Sequence, residues 1–183
     1  MGHGGDVINE LMTDHREVEE MFARVQALPA GDERRREAAE QFTIELVRHS
    51  VAEEQHLYPA VREHVPGGDA LADKEIADHE AVERLLKELE GVDSGDARFG
   101  VLVGRVVSEV SAHILDEEQN LFPALAGACP PERLDELGER VRRAKKLAPT
   151  RPHPNAPDNK LITAGTGLVD RARDLVTGRG ASD

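Results

Sequence analysis

The sequence repeats itself at an offset of 64 residues, and this repeat restricts the fold more than any other feature. HSVAEEQHLYPAV (49–61) aligns with HILDEEQNLFPAL (113–125) at seven identities in thirteen positions. At the same offset DHREVE (14–19) aligns with DHEAVE (78–83). His15 is thereby paired with His79, His49 with His113 and Glu53 with Glu117. Eight histidines in 183 residues would give well under one His–His match at a chosen offset, and two occur. The period is too long for a solenoid of many short units. Two copies of a helical hairpin give instead an all-α protein, a four-helix up-down bundle with an internal twofold repeat.

Apolar spacing supports this along the chain. A first helix is predicted over 6–28, with Ile8, Leu11, Met12, His15, Val18, Phe22 and Val25 on one face. A second starts after Asp32, carries Phe42, Leu46, His49 and Glu53 on one face, kinks near Pro59 and stops at PGG (66–68). A third is predicted over 69–90, with Ile76, His79, Val82, Leu86 and Leu89 inward. A fourth follows VDSGD with Phe99, Leu102, Val106, Val110, His113, Glu117 and Leu121 inward. Pro130-Pro131 opens a fifth helix over 132–147, since proline suits the first turn. A Pro-rich C-terminal tail follows, with a short helix predicted over 168–177. The expected division is a bundle over 1–128 and a fifth helix with extension over 129–183.

Charge and composition exclude several functions. Acidic residues outnumber basic ones 36 to 23, a net −13 that repels phosphate, so nucleic acid and anionic membrane surfaces are not expected partners. The imbalance is concentrated in residues 1–131, with 28 acidic and 12 basic residues, whereas residues 132–183 hold 8 and 11. One cysteine, Cys129, permits no intramolecular disulfide and no thiolate zinc site. MGHGGDVINE has no apolar core of a signal peptide, and FGVLVGRVV is too short to span a bilayer, so a cytoplasmic protein is expected.

His49 and Glu53 are four residues apart on one helix, as are His113 and Glu117, so each pair stacks on one face. His15 and His79 lie on the apolar stripes of the first and third helices. Four imidazoles and two carboxylates therefore converge inside the bundle. Buried carboxylates cost several kcal/mol each unless paired or coordinated, and a pair of metal ions offsets that cost. The donor set suits iron better than zinc or manganese. His56 lies two turns beyond His49 and forms Glu53-x-x-His56, a ferritin-type spacing. The second copy of that spacing fails, because Asn120 follows Glu117 by three. His56 is thus a candidate for the outer wall of the site. Tyr58 and Phe122 hold equivalent places before the prolines, with core packing the default role and a Tyr58 hydroxyl near the metals the alternative.

The order His…HxxxE…His…HxxxE, with DH in the first and third helices and EEQ-x-L-[aromatic]-P-A after each HxxxE, resembles the hemerythrin-like (HHE cation-binding) family. The resemblance covers residues 6–126. It implies an antiparallel four-helix bundle around a non-heme di-iron centre with an oxo or hydroxo bridge. It also implies that His15 and His49 bind one iron, His79 and His113 the other, and that Glu53 and Glu117 bridge. The tail with RPHPNAP is similar to the extension of some actinobacterial members. Oxygen-carrying hemerythrins have a fifth histidine on the third helix, but here the positions four before and four after His79 are Glu75 and Glu83. Reversible oxygen transport is therefore not the expected role. Glu83 and its repeat partner Glu19 are candidates for flanking the pocket.

Three functions compete at this point. One is an enzyme acting on peroxide, dioxygen or nitric oxide, catalase- or peroxidase-like and tied to oxidative stress. The second is an oxygen or iron binding or sensing protein without turnover. The third is a structural bundle with adventitious zinc. A monomer or weak dimer is expected.

Overall fold

The computed structural model describes residues 3–152. The helix expected over 168–177 and most of the Pro-rich tail lie outside the described residues. Four long helices form the bundle: α1 (Val7–Ala27), α2 (Arg34–Ala52), α4 (Gly68–Glu90) and α5 (Ala97–Asp116). α2 continues through a π turn, π1 (Glu53–Leu57), into α3 (Tyr58–His64). α5 continues through π2 (Glu117–Leu121) into α6 (Phe122–Ala128). α7 (Pro131–Leu147) closes the described fold, and no strand occurs among the described residues. α1 pairs with α2 and α4 with α5, which are the two hairpins of the repeat.

The helix starts follow local chemistry. Asp6 accepts from the Asn9 backbone N–H and Asp96 from that of Arg98, each at 2.8 Å, capping α1 and α5. α4 begins tightly against α3, because a Cβ on Gly68 would stand 2.1 Å from the Val61 carbonyl oxygen.

Sequence spacing anticipated a kink near Pro59, and the structure gives its form. Proline lacks an N–H, and its ring crowds the carbonyl four residues earlier. The helix relieves this one turn ahead by widening: the Tyr58 N–H bonds to the Glu53 carbonyl, five residues back. Pro123 is accommodated in the same way, with the Phe122 N–H on the Glu117 carbonyl. Both π turns begin on the glutamates of the repeated HxxxE, and single π turns inside α-helices are frequent at functional sites.

The apolar interior is in two parts. One cluster centres on Phe22, Phe42, Leu86, Phe99 and Val106. Phe22 and Phe42 meet edge-on at 5.3 Å, and Arg35 and Arg36 lie over the Phe99 ring. The other cluster joins Leu11, Leu57, Tyr58, Leu121 and Leu125 to Leu134, Leu137 and Val141 of α7. α7 therefore shares the bundle's second core. Between the two clusters lies a layer of buried polar residues that includes His15, His49, Glu53, Glu75, His79, His113 and Glu117.

Candidate metal centre

Each of the six residues picked out by the repeat is buried, and the folded helices bring all six together. Glu53 and Glu117 are fully enclosed at 0% exposure, and the four histidines are no more than 7% exposed. Glu53 lies between the two hairpins: its Oε1 is 3.1 Å from His49 Nε2 and its Oε2 is 3.3 Å from His79 Nε2. Glu117 Oε2 lies 3.4 Å from His15 Nε2 and 3.6 Å from His113 Nε2. His15, His49, Glu53 and Glu117 offer donor atoms within 4.8 Å of one another, and Glu53, His79 and His113 do the same. The two groups share Glu53, as expected of a carboxylate that serves two ions.

The unmet bonding capacity tests whether a metal fits. His15 Nε2, His49 Nε2, both oxygens of Glu53 and Oε2 of Glu117 are buried without a hydrogen-bond partner. Orphaned buried polar atoms are rare and costly. Here they are donor atoms of the types that bind first-row metals, and they face one another. Residues of this set could therefore hold two metal ions.

The other ring nitrogen of each histidine meets a carboxylate. His49 Nδ1 donates to Asp14 (3.1 Å), His15 Nδ1 to Glu118 (2.9 Å) and His79 Nδ1 to Glu54 (3.0 Å). His113 Nδ1 lies 2.8 Å from Glu75. Such partners fix the tautomer and aim Nε2 at a metal. Asp14 belongs to the repeated DH, and Glu54 and Glu118 are the second glutamates of the repeated EEQ, so these three carried a signal in the sequence that reading for ligands alone passes over. Glu75 had none: its repeat position is occupied by Leu11.

The aromatic pair is placed symmetrically but differs chemically. Phe122 stacks on His15 at 5.7 Å, and Tyr58 lies against His79 at 5.5 Å. The Tyr58 hydroxyl donates to Glu117 Oε1 (3.2 Å) and stands 3.1 Å from His79 Nε2. Burial, and then the charges of Glu117 and Glu53, push this phenol well above its ordinary range, so it keeps its proton. His56 and Glu83 are half-buried and belong to neither donor group, and Glu19 pairs with Arg16 at the surface.

Electrostatics make metal binding a proton exchange. Burial opposes the charged form of His49 and His79, but Glu53 with Asp14, and Glu53 with Glu54, outweigh it and raise both to about 10. Glu53 is held well below its ordinary value despite burial, by His49 first and then His79. At pH 7 the metal-free site thus holds two imidazolium groups. In the metal-free fold, the raised histidines stabilise fully below their ordinary 6.5, and that contribution fades as pH rises through about 10. The Glu53 contribution is present above its ordinary 4.5 and is lost on acidification through its lowered value. Loading with zinc at pH 7 is expected to release about two protons per chain. Titration calorimetry in buffers of different ionisation enthalpy measures this, and release near zero would contradict the charge assignment.

The comparisons with known proteins agree with this architecture. The family described as Hemerythrin HHE cation binding domain matches residues 6–125. A hemerythrin-like protein of Schizosaccharomyces pombe is 26% identical over 175 residues, covering 93% of this chain and 86% of that protein. A Nostoc protein named a DNA nickase is 28% identical over 134 residues, 72% of this chain but 37% of that longer protein. The crystal structure of a hemerythrin HHE cation binding domain-containing protein from Mycobacterium kansasii shares the fold, with TM-score 0.68 at 21% identity. That match covers 77% of this chain and 85% of the other. A family match over about two-thirds of the sequence, on a helical bundle of the same architecture, makes this chain a member of the hemerythrin HHE cation-binding family.

Proposed function

We propose that the six residues His15, His49, Glu53, His79, His113 and Glu117 hold two non-heme iron ions, and that the loaded protein disproportionates hydrogen peroxide. The observation that carries the reading is the shared position of Glu53 between His49 and His79, with its oxygens otherwise unpartnered. The iron pair, when bound, supplies and takes back the two electrons of O–O bond chemistry, so two peroxides give one dioxygen and two waters.

The chain's own residues select and handle the substrate. A cavity of about 20 Å³ lies against the four histidines, walled by Val18, Leu46, Val82, Val110 and Ile114, with Ser50 as its one hydroxyl. That is room for little more than one water-sized molecule, which favours peroxide, dioxygen or nitric oxide over any organic substrate. The apolar walls keep bulk water out. The Tyr58 hydroxyl holds a proton between Glu117 and His79, where a departing oxygen atom needs one. All six proposed ligands come from one chain, so a monomer or weak dimer in the cytoplasm is sufficient.

An oxygen electrode tests the reading. Iron-loaded protein is expected to evolve oxygen from peroxide, and Tyr58→Phe to slow that evolution by about 10²-fold with iron content unchanged. Absence of oxygen evolution, together with a dioxygen adduct that reverses on degassing, would replace this reading with an oxygen-binding one.

A further inference from the structure

The one described helix without a counterpart in the repeat reaches the candidate metal centre. α7 docks on α1 and α2, and the approach is close: a Cβ on Gly138 would stand 2.5 Å from the Gly5 carbonyl oxygen. Two turns further along α7, Lys145 Nζ donates to Asp14 Oδ1 at 2.5 Å. The other oxygen of Asp14 accepts from His49 Nδ1 at 3.1 Å. The chain of contacts is shielded from solvent, with Asp14 at 4% and Lys145 at 14% side-chain exposure.

The second hairpin solves the same problem from within. Asp78, the repeat partner of Asp14, is 4.0 Å from His113 Nδ1, while Glu75 is 2.8 Å away. Lys74 backs Glu75 at 3.2 Å. Both hairpins therefore show lysine behind carboxylate behind histidine. One hairpin draws its lysine from α4 and the other borrows it from α7.

We propose that Lys145 is a positioning residue for the metal centre: it pins Asp14, Asp14 fixes the ring of His49, and the C-terminal helix thereby governs one of the two ions. The proposal rests on the reading that His15 and His49 hold one ion and His79 and His113 the other. Without Lys145, Asp14 has an alternative partner in His3, whose Nδ1 is 3.8 Å from Oδ1. His49 then loses the fixed acceptor that aims its Nε2.

Full-length protein loaded with zinc and challenged with a chelator reads the effect without any turnover. In Lys145→Met, one of the two bound zinc ions is expected to leave about 10- to 100-fold faster, and the other at the unaltered rate. Lys145→Arg should restore slow release of both, and Lys146→Met on the same turn should resemble the unaltered protein. Lys145→Gln keeps a donor to Asp14, so it should show the same split at a smaller factor, and it serves if Lys145→Met does not fold. Equal acceleration of both ions would reduce Lys145 to a stabilising contact, and unchanged release of both would remove it from the centre altogether. Failure of the unaltered protein to hold two zinc ions would instead defeat the underlying two-ion reading, before any variant is compared.

Discussion

Replacing Glu53 with alanine is expected to empty both halves of the centre at once. No other residue faces His49 with one oxygen and His79 with the other, at 3.1 and 3.3 Å. Loss of a histidine such as His113 removes a donor from one hairpin. Loss of Glu53 removes the group common to both, so bound iron should fall from about two per chain to nearly none. The metal-free fold suffers as well. Glu53 is fully buried and ionised, and it faces two imidazolium groups. Deleting one partner of a buried charge set costs about 3–5 kcal/mol. For a chain of this size that lowers the melting temperature by roughly 6–20 °C. Metal analysis and calorimetry of the stripped protein give the two numbers. Retention of one full equivalent of iron in Glu53→Ala would show that Glu53 serves a single ion.

The second large effect is expected from metal removal in the unaltered protein. The polar layer divides the interior, with Phe42 and Phe99 in the cluster on one side and Leu57 and Leu125 in the cluster on the other. The layer itself holds orphaned donor atoms that only a ligand can satisfy. An ion present at 100 times its Kd adds about 2.7 kcal/mol, so two sites add about 5 kcal/mol. Stripping with a chelator should therefore lower the melting temperature by roughly 10–20 °C, reversibly on re-addition. A shift below about 2 °C would mean that the histidines and glutamates are a self-sufficient polar network.

The bundle and the six central residues were legible because they repeat. Helical periodicity alone would have left His15 and His79 as ordinary core histidines, and the common offset of 64 singled them out together with His49, His113, Glu53 and Glu117. What repeats less strictly was harder to see. Glu75 replaces Asp78 as the closest carboxylate to His113, and Lys145 reaches Asp14 across 131 positions in the chain. Such contacts depend on the angle at which one helix crosses another, and periodicity within a single helix does not encode that angle. The face of His56 was misjudged by continuing a 3.6-residue period through Glu53–Leu57, where the helix is wider. Proline six residues after each glutamate was the available signal, and it was read as a kink.

The two π turns also set what kinds of genetic change the gene can absorb. A π turn accommodates one residue more than the α-helical path it interrupts. Loss of a single codon between Glu53 and Pro59 would let the segment close into regular α-helix and turn everything beyond it by about 100° relative to the glutamate. Tyr58 would swing away from Glu117 and His79, and the apolar face carrying Leu57 and Val61 would leave the core. A substitution at an exposed position of the second turn, such as Gln119 or Asn120, disturbs neither. Along these short stretches, selection acts on the number of residues more severely than on the identity of most of them.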